Sequence, residues 1–312
     1  DRRSPHLDVV GLRVEAMDLL TRDEPGVIVV PLDALLSPTL SPEIFDLAIR
    51  VLEVGQEHAP QSLADHLVEC GYERVTTVEG VGQFSIRGGI LDFCSFGNAH
   101  PVRLEFWGDE ITSIRGFDLS TQRSVEELPS VRILPCREGI LVHTLADQYE
   151  EHIAAFEKAH DCELELLREN LVDFGAFDGI ESYLPVLYGS DARLLNFVQD
   201  ESYLFVDDPA GLERAGEDVM ERLQTTFERQ KPRRGEPELL APKHIFDAPS
   251  HVLERFQTLS RIENYALGQH EGSIDFKARA GRKYEGHLPV FEEDLTRLWR
   301  DNFDLVLLCE SP

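Results

Sequence analysis

Residues 101–107 alternate: Val102, Leu104 and Phe106 are apolar, and Arg103, Glu105 and Trp107 stand between them. Successive side chains of a strand point to opposite faces. The pattern therefore predicts a strand with one apolar face on a core and one outer face that carries two charges and a large ring. The preceding stretch has the same texture, with Phe84 and Ile86 alternating with Ser85 and Arg87. If both strands join one sheet, Arg87, Arg103 and Trp107 share its outer face. Arg and Trp are enriched at the energetic centres of protein interfaces, so this face is the candidate binding site. A solvated sheet face whose Trp ring is covered by a neighbouring loop would show the same pattern.

Away from this unit the periodicity changes. Residues 26–30, GVIVV, form a continuous apolar run before Pro31, which predicts a strand buried on both faces, as in parallel sheets. Residues 33–36 predict a short helical turn. Residues 203–206 (YLFV) and 303–308 (FDLVLL) are further strand candidates, and residues 145–171 and 209–229 have helical spacing. Asp207 and Asp208 suit the N-cap of the second helix. Strands alternating with long helices argue for an α/β domain with a parallel sheet. The middle of the chain differs. A helix over residues 60–70 is predicted, with Pro60 in its first turn, Leu63, Leu67 and Cys70 on one face, and Gly71 as its stop. Short strands punctuated by glycines follow. The expected organisation is a parallel α/β domain formed by residues 1–47 and 139–312, with an α+β insertion of antiparallel sheet over residues 48–138.

Composition narrows the function classes. The 312 residues are 42% hydrophobic, enough for real cores, and no apolar run approaches the length of a membrane helix. The polar opening DRRSPHLD is not a signal peptide and carries no initiator Met, so a cytoplasmic piece of a longer protein is expected. Five cysteines are scattered without CxxC pairs, which argues for reduced thiols and against a zinc site or disulfide framework. The net charge is −28, from 58 acidic and 30 basic residues. Such a chain repels phosphate backbones over most of its surface, and a protein partner fits better than DNA. Arg229, Lys231, Arg233 and Arg234 cluster in a proline-containing stretch, but no aromatic residue interleaves with them, so they read as a solvated helix end and linker.

No catalytic constellation emerges. A nucleotide-hydrolysing lobe needs a phosphate loop, and GxxxxGK[ST] does not occur in the chain. Gly88-Gly89 lacks a following Lys, and no Ser sits in a nucleophile-elbow context. No cofactor or metal site is expected in these residues.

One run is long enough to suggest a family. It comprises Gly82, Phe84, Arg87-Gly88-Gly89-Ile90-Leu91-Asp92, Pro101, Arg103, Glu105-Phe106, Gly108-Asp109-Glu110, Ser113-Ile114-Arg115 and Phe117-Asp118, followed by Thr121-Gln122-Arg123-Ser124. It resembles the module shared by the excision-repair helicase UvrB and the transcription-repair coupling factors. The resemblance implies a degenerate helicase-like domain holding an inserted UvrA-docking domain, acting in transcription-coupled nucleotide excision repair. The family's docking residues map onto Arg87, Arg103 and Trp107, with Trp107 standing where relatives often carry Phe. ATP, magnesium, RNA polymerase and DNA would engage motor and binding regions of the parent protein outside this chain, an ATP-dependent DNA translocase. The alternative is a fragment of UvrB itself, an ATP-dependent helicase subunit that binds damaged DNA. Two features point away from it. Where UvrB has its strand–Asp-Glu-x-His motif, this chain has Asp207-Asp208-Pro209-Ala210, and no counterpart of the aromatic hairpin that clamps DNA is present.

Overall fold

The computed structural model describes residues 4–22, 24–199, 201–230, 237–265 and 287–301, together with Ile274, Tyr284 and Phe303. Helix α1 (Leu7–Thr21) buries Val10, Val14 and Met17 along one face. The short helix α2 (Leu32–Leu36) is followed by α3 (Pro42–Ala48), whose N-cap Ser41 accepts the Ile44 amide at 3.3 Å. Strand β1 (Arg50–Glu53) leads into α4 (Pro60–Glu69), which begins on Pro60, buries Leu63 and Leu67 and stops at Gly71 with φ +92°.

Six strands then form one sheet in chain order: β2 (Glu73–Arg74), β3 (Gln83–Arg87), β4 (Ile90–Phe93), β5 (Val102–Trp107), β6 (Glu110–Phe117) and β7 (Ser124–Glu127). Only β2 and β3 run parallel; the remaining neighbours are antiparallel. Strand β8 (Ser130–Ile133) returns to pair antiparallel with β1, so the two ends of the sheet-bearing segment are zipped together.

The segment is fastened to α1 by buried charge. Asp18 of α1 is 3% exposed and accepts Arg132 Nε of β8 at 2.5 Å. Glu138 accepts Arg13 Nε at 2.9 Å and the Thr39 hydroxyl at 2.6 Å. One hydrophobic core runs from α1, α3 and α4 through the inner face of the sheet to the helices beyond, with Phe84, Phe93, Leu91, Leu104 and Ile111 at its centre.

The chain from residue 146 to residue 264 is mainly helical with one pair of strands: α5 (Ala146–His160), α6 (Glu165–Phe174), α7 (Leu184–Leu187), β9 (Tyr203–Asp207), α8 (Pro209–Arg229), α9 (Pro242–Ile245), α10 (Pro249–Gln257) and β10 (Ser260–Asn264). The segment from residue 267 onward is a separate compact unit. Its helix α11 (Leu288–Arg300) packs the Phe291 ring against Tyr284 at 5.0 Å.

The fold is mixed α/β, and three sequence expectations change. Residues 26–30 form no strand, and Val27 and Val29 are each 89% exposed. An apolar run gives no information about whether a neighbouring strand exists to satisfy its amides, and among the described residues none pairs with it. The only parallel pairing among the described residues outside the six-stranded sheet is β9 with β10, and one face of that pair, with Tyr203, Phe205 and Ile262, is exposed. The helix expected over residues 145–171 is two helices, broken where Asp161 adopts φ +50°. Glu157 stabilises the break by accepting the Leu164 amide at 2.7 Å and Arg168 of α6 at 2.5 and 2.9 Å. The candidate strand over residues 303–308 and most of the basic cluster near Arg233 lie outside the described residues.

His66 of α4 supplies a stability test. Burial, helped by the Arg50 charge, pushes its pKa down to about 4, although its Nε2 hydrogen bond to the Ala48 carbonyl at 2.9 Å works the other way. Between about pH 6.5 and 4 the unfolded chain holds a proton on this ring that the folded chain does not. Stability is therefore lost as pH falls through that window, by about 3 kcal/mol if the full shift is realised. Urea melts at pH 7 and pH 4.5 check this. His66→Gln is expected to lose less stability across the interval than the unsubstituted chain, and equal losses would show that the imidazole is not responsible.

Candidate protein-docking face

The outer face of the sheet is set by its register. Ser85, Asp92, Arg103, Arg115 and Glu127 stand in one row across β3 to β7, and Arg87, Ile90, Glu105 and Ser113 stand in the next. Residue Thr112 is the extra residue of a bulge in β6, opposite the step from Glu105 to Phe106. The bulge lets Ile111 and Ile114, three apart, both point into the core. It leaves β5 regular, so Trp107 stays on the same face as Arg103 and Glu105.

Two glycine turns build the end of this face. Gly88, at φ +59°, turns β3 into β4, and Gly108, at φ +64°, turns β5 into β6. The turns are neighbours, because the Phe106 amide donates to the Gly89 carbonyl at 2.8 Å. A Cβ on Gly89 would stand 2.9 Å from the Phe106 carbonyl oxygen, so a side chain there would force the strands apart. Arg87, Ile90 and Trp107 gather at this end. Trp107 is 82% exposed and the Arg87 side chain 56%, while Ile90 is also exposed. Arg103 lies four residues along β5 from Trp107, about 13 Å at the usual rise per residue.

All three sequence-nominated residues thus share one face, but they differ in character. Arg103 is only 18% exposed. Its Nε and Nη2 donate to the two carboxylate oxygens of Asp92 at 2.7 and 2.9 Å, and its Nη1 donates to the Gln122 carbonyl at 3.3 Å. Its guanidinium also stands 4.8 Å from the centre of the Phe117 ring. The bonds to Asp92 raise the Arg103 pKa further above its ordinary value. Arg103 is therefore not a free surface cation: Asp92 is 1% exposed and Arg103 is its main counter-ion. Phe106 likewise is only partly buried, and the rings that fill the core are Phe84 and Phe93.

The Thr121-Gln122-Arg123-Ser124 stretch is a structural clasp on the same face. Asp118 Oδ1 accepts the Ser120 hydroxyl at 2.6 Å and the Thr121 amide and hydroxyl at 2.8 and 2.9 Å. These bonds hold the Asp118 pKa down to about 2. The clasp places Gln122 at φ +58°, where its side chain donates to the Val78 carbonyl and its own carbonyl receives Arg103. Asp92 and Gln122 were not nominated from the sequence. Asp92 had a legible signal, as an acidic residue on the polar face of the strand next to Arg103; Gln122 acts through its backbone, which no side-chain pattern encodes.

Residues 51–138, from β1 to the end of this segment, match the UvrB interaction domain family. Over nearly its whole length the chain aligns with proteins of one description. The transcription-repair-coupling factor of Mycobacterium bovis is 31% identical over 94% of this chain, and that of Bacillus subtilis is 27% identical over 95%. That of Myxococcus xanthus is 35% identical over 71%. The chain is homologous to the transcription-repair coupling factors. It spans 26% of the length of the first two relatives and 19% of the third. The coupling-factor reading is favoured over the UvrB alternative, and the acidic stretch that separated them in the sequence is visible in the structure. Asp207 and Asp208 tie β9 to β10, with Asp207 Oδ1 accepting Asn264 Nδ2 at 2.6 Å and the Asp208 amide donating to the Asn264 carbonyl at 2.9 Å. Asp208 occupies the N-cap position of α8 as expected, but at φ +49° and without a side-chain capping bond. In this coupling-factor homologue no described helix is long and apolar enough to cross a membrane, and no group of three or more His, Cys, Asp or Glu among the described residues is arranged to hold a metal.

Proposed function

We propose that this chain is the UvrA-recruiting part of a transcription-repair coupling factor, and that UvrA docks on the outer face of the six-stranded sheet through Arg87, Arg103 and Trp107. The observation that carries this reading is the coincidence of the UvrB interaction domain match with a face that leaves a Trp ring and an arginine uncovered at adjacent glycine turns. The segments around the inserted domain are a degenerate helicase lobe whose role is to hold it. ATP-driven translocation, displacement of stalled RNA polymerase and DNA binding belong to the rest of the parent protein, in the cytoplasm. Size-exclusion chromatography of the chain mixed with UvrA tests the reading: co-elution is expected, and separate elution of two folded proteins counts against it.

The chain by itself is expected neither to bind nor to hydrolyse ATP. The missing phosphate loop and the Asp207–Ala210 sequence motivate this, since Asp208 is one methylene shorter than Glu and is held in the β9–β10 tie. Calorimetric titration with ATP and magnesium, and turnover assays with and without DNA, check it. Micromolar binding with DNA-stimulated hydrolysis would return the UvrB reading to first place.

A further inference from the structure

The docking face contains one buried acid whose geometry has a consequence for the arginines around it. Asp92 is 1% exposed, yet it receives two guanidinium groups: Arg103 through both carboxylate oxygens, and Arg87 through Nη2 on Oδ2 at 3.2 Å. A carboxylate that takes a two-pronged pairing from one arginine is fixed in plane and direction. Its remaining lone pair on Oδ2 then defines where the second arginine must lie. Arg103 is itself fixed from the other side, by the Gln122 carbonyl and the Phe117 ring. The chain of restraint runs from the Asp118 clasp through Gln122 to Arg103, then Asp92, then Arg87.

Arg87 is the free end of that chain. Among the described residues its Nη2 bonds only to Asp92, and its Nε and Nη1 have no hydrogen-bond partner. Asp92 itself faces two guanidinium groups, while Glu105 and Glu127 pair with Arg115 farther along the face, so Arg87 is the cation of this face whose charge is least matched. A long arginine side chain normally loses rotamer freedom when it binds. One already tethered at Nη2 while 56% exposed has less to lose, and its remaining N–H groups are suited to a carboxylate.

We infer that Asp92 is a positioning residue for partner binding: it aims Arg87 at a carboxylate of UvrA, in a site where Ile90 and Trp107 supply the apolar rim. This rests on the UvrA reading above, and it adds a residue and a partner chemistry to it. The partner surface would offer an Asp or Glu beside an apolar recess that takes the Trp107 ring.

A double-mutant cycle tests it. UvrA affinity is measured by surface-immobilised titration at 25 °C for the unsubstituted chain, Asp92→Asn, Arg87→Ala and the pair together, with the fold of each checked by circular dichroism. Asp92→Asn keeps the shape and removes the charge. It is expected to weaken UvrA binding about tenfold when Arg87 is present and less than twofold when Arg87 is already Ala. A purely structural role would weaken binding equally in both backgrounds, and that result overturns the inference. If Asp92→Asn fails to fold, Asp92→Glu replaces it in the same cycle, since it keeps the charge and displaces the carboxylate from the position that aims Arg87. The same dependence on Arg87 is expected, and independence from Arg87 overturns the proposal. If Arg87→Ala alone leaves affinity unchanged, the docking reading of this face fails and the inference falls with it; if Arg87→Ala weakens binding and Asp92→Asn does not, only the inference fails.

Discussion

Arg103→Ala is expected to destabilise the chain by about 3 kcal/mol, at the low end of what removing one partner of a buried ion pair costs. The substitution leaves Asp92, 1% exposed, without the two hydrogen bonds that offset its desolvation. Arg87 remains as a partial counter-ion at 3.2 Å, which keeps the loss from reaching the top of the range. It also removes the guanidinium from the Phe117 ring and leaves the Gln122 carbonyl unpaired by it. A thermal or urea melt reads the effect. Asp92→Ala combined with Arg103→Ala is expected to cost less than the sum of the two single changes, because each single change strands the other's charge. A melt of Arg103→Ala indistinguishable from that of the unsubstituted chain would show that the pair contributes nothing to stability. Any UvrA-binding defect of Arg103→Ala is thus interpretable only beside its melting curve.

Arg87→Ala and Trp107→Ala behave in the opposite way. Both side chains are largely exposed at the glycine-turn end of the sheet, so removal of Trp107 is expected to change stability by no more than about 0.5 kcal/mol, and removal of Arg87 by about 1 kcal/mol, since Asp92 keeps its two bonds from Arg103. If they are centres of the UvrA interface, each removal weakens binding by about 2 kcal/mol or more, roughly thirtyfold. Trp107→Phe restores the aromatic face without the second ring and is expected to recover most of the affinity. Loss of the fold in Trp107→Ala would mean that the ring is a structural cover, the other reading its sequence pattern allowed.

The six-stranded sheet was legible because its signal is local. The alternation in residues 101–107 places Leu104 inward and Trp107 outward through geometry that needs no knowledge of the rest of the chain, and Gly71, Gly88 and Gly108 sit where the backbone takes positive φ. Three kinds of information were missing from the pattern. The apolar run at residues 26–30 is compatible with a paired strand, but pairing depends on a distant partner, and among the described residues no strand pairs with it. The break at Asp161 is made by Glu157 and Arg168, two helical residues whose tertiary ion pair overrides continuous helical spacing. The burial of Arg103 came from Asp92 on the neighbouring strand: alternation assigns a face to each residue and says nothing of which charges on that face will pair and sink. The flat division of the outer face into three equivalent docking residues therefore gives way to an exposed end, Arg87 and Trp107, and an inner pair, Arg103 and Asp92, that holds it.

The central claim is that this face binds UvrA. The most direct measurement is a titration of the full chain against purified UvrA, alongside the Arg87→Ala/Trp107→Ala double variant, with melting curves for both. The expected result is saturable binding by the unsubstituted chain, and loss of at least about a hundredfold in affinity by the double variant, which still melts cooperatively and only a few degrees lower. Equal affinity of the two chains, with both folded, would contradict the account and move the docking site off this sheet.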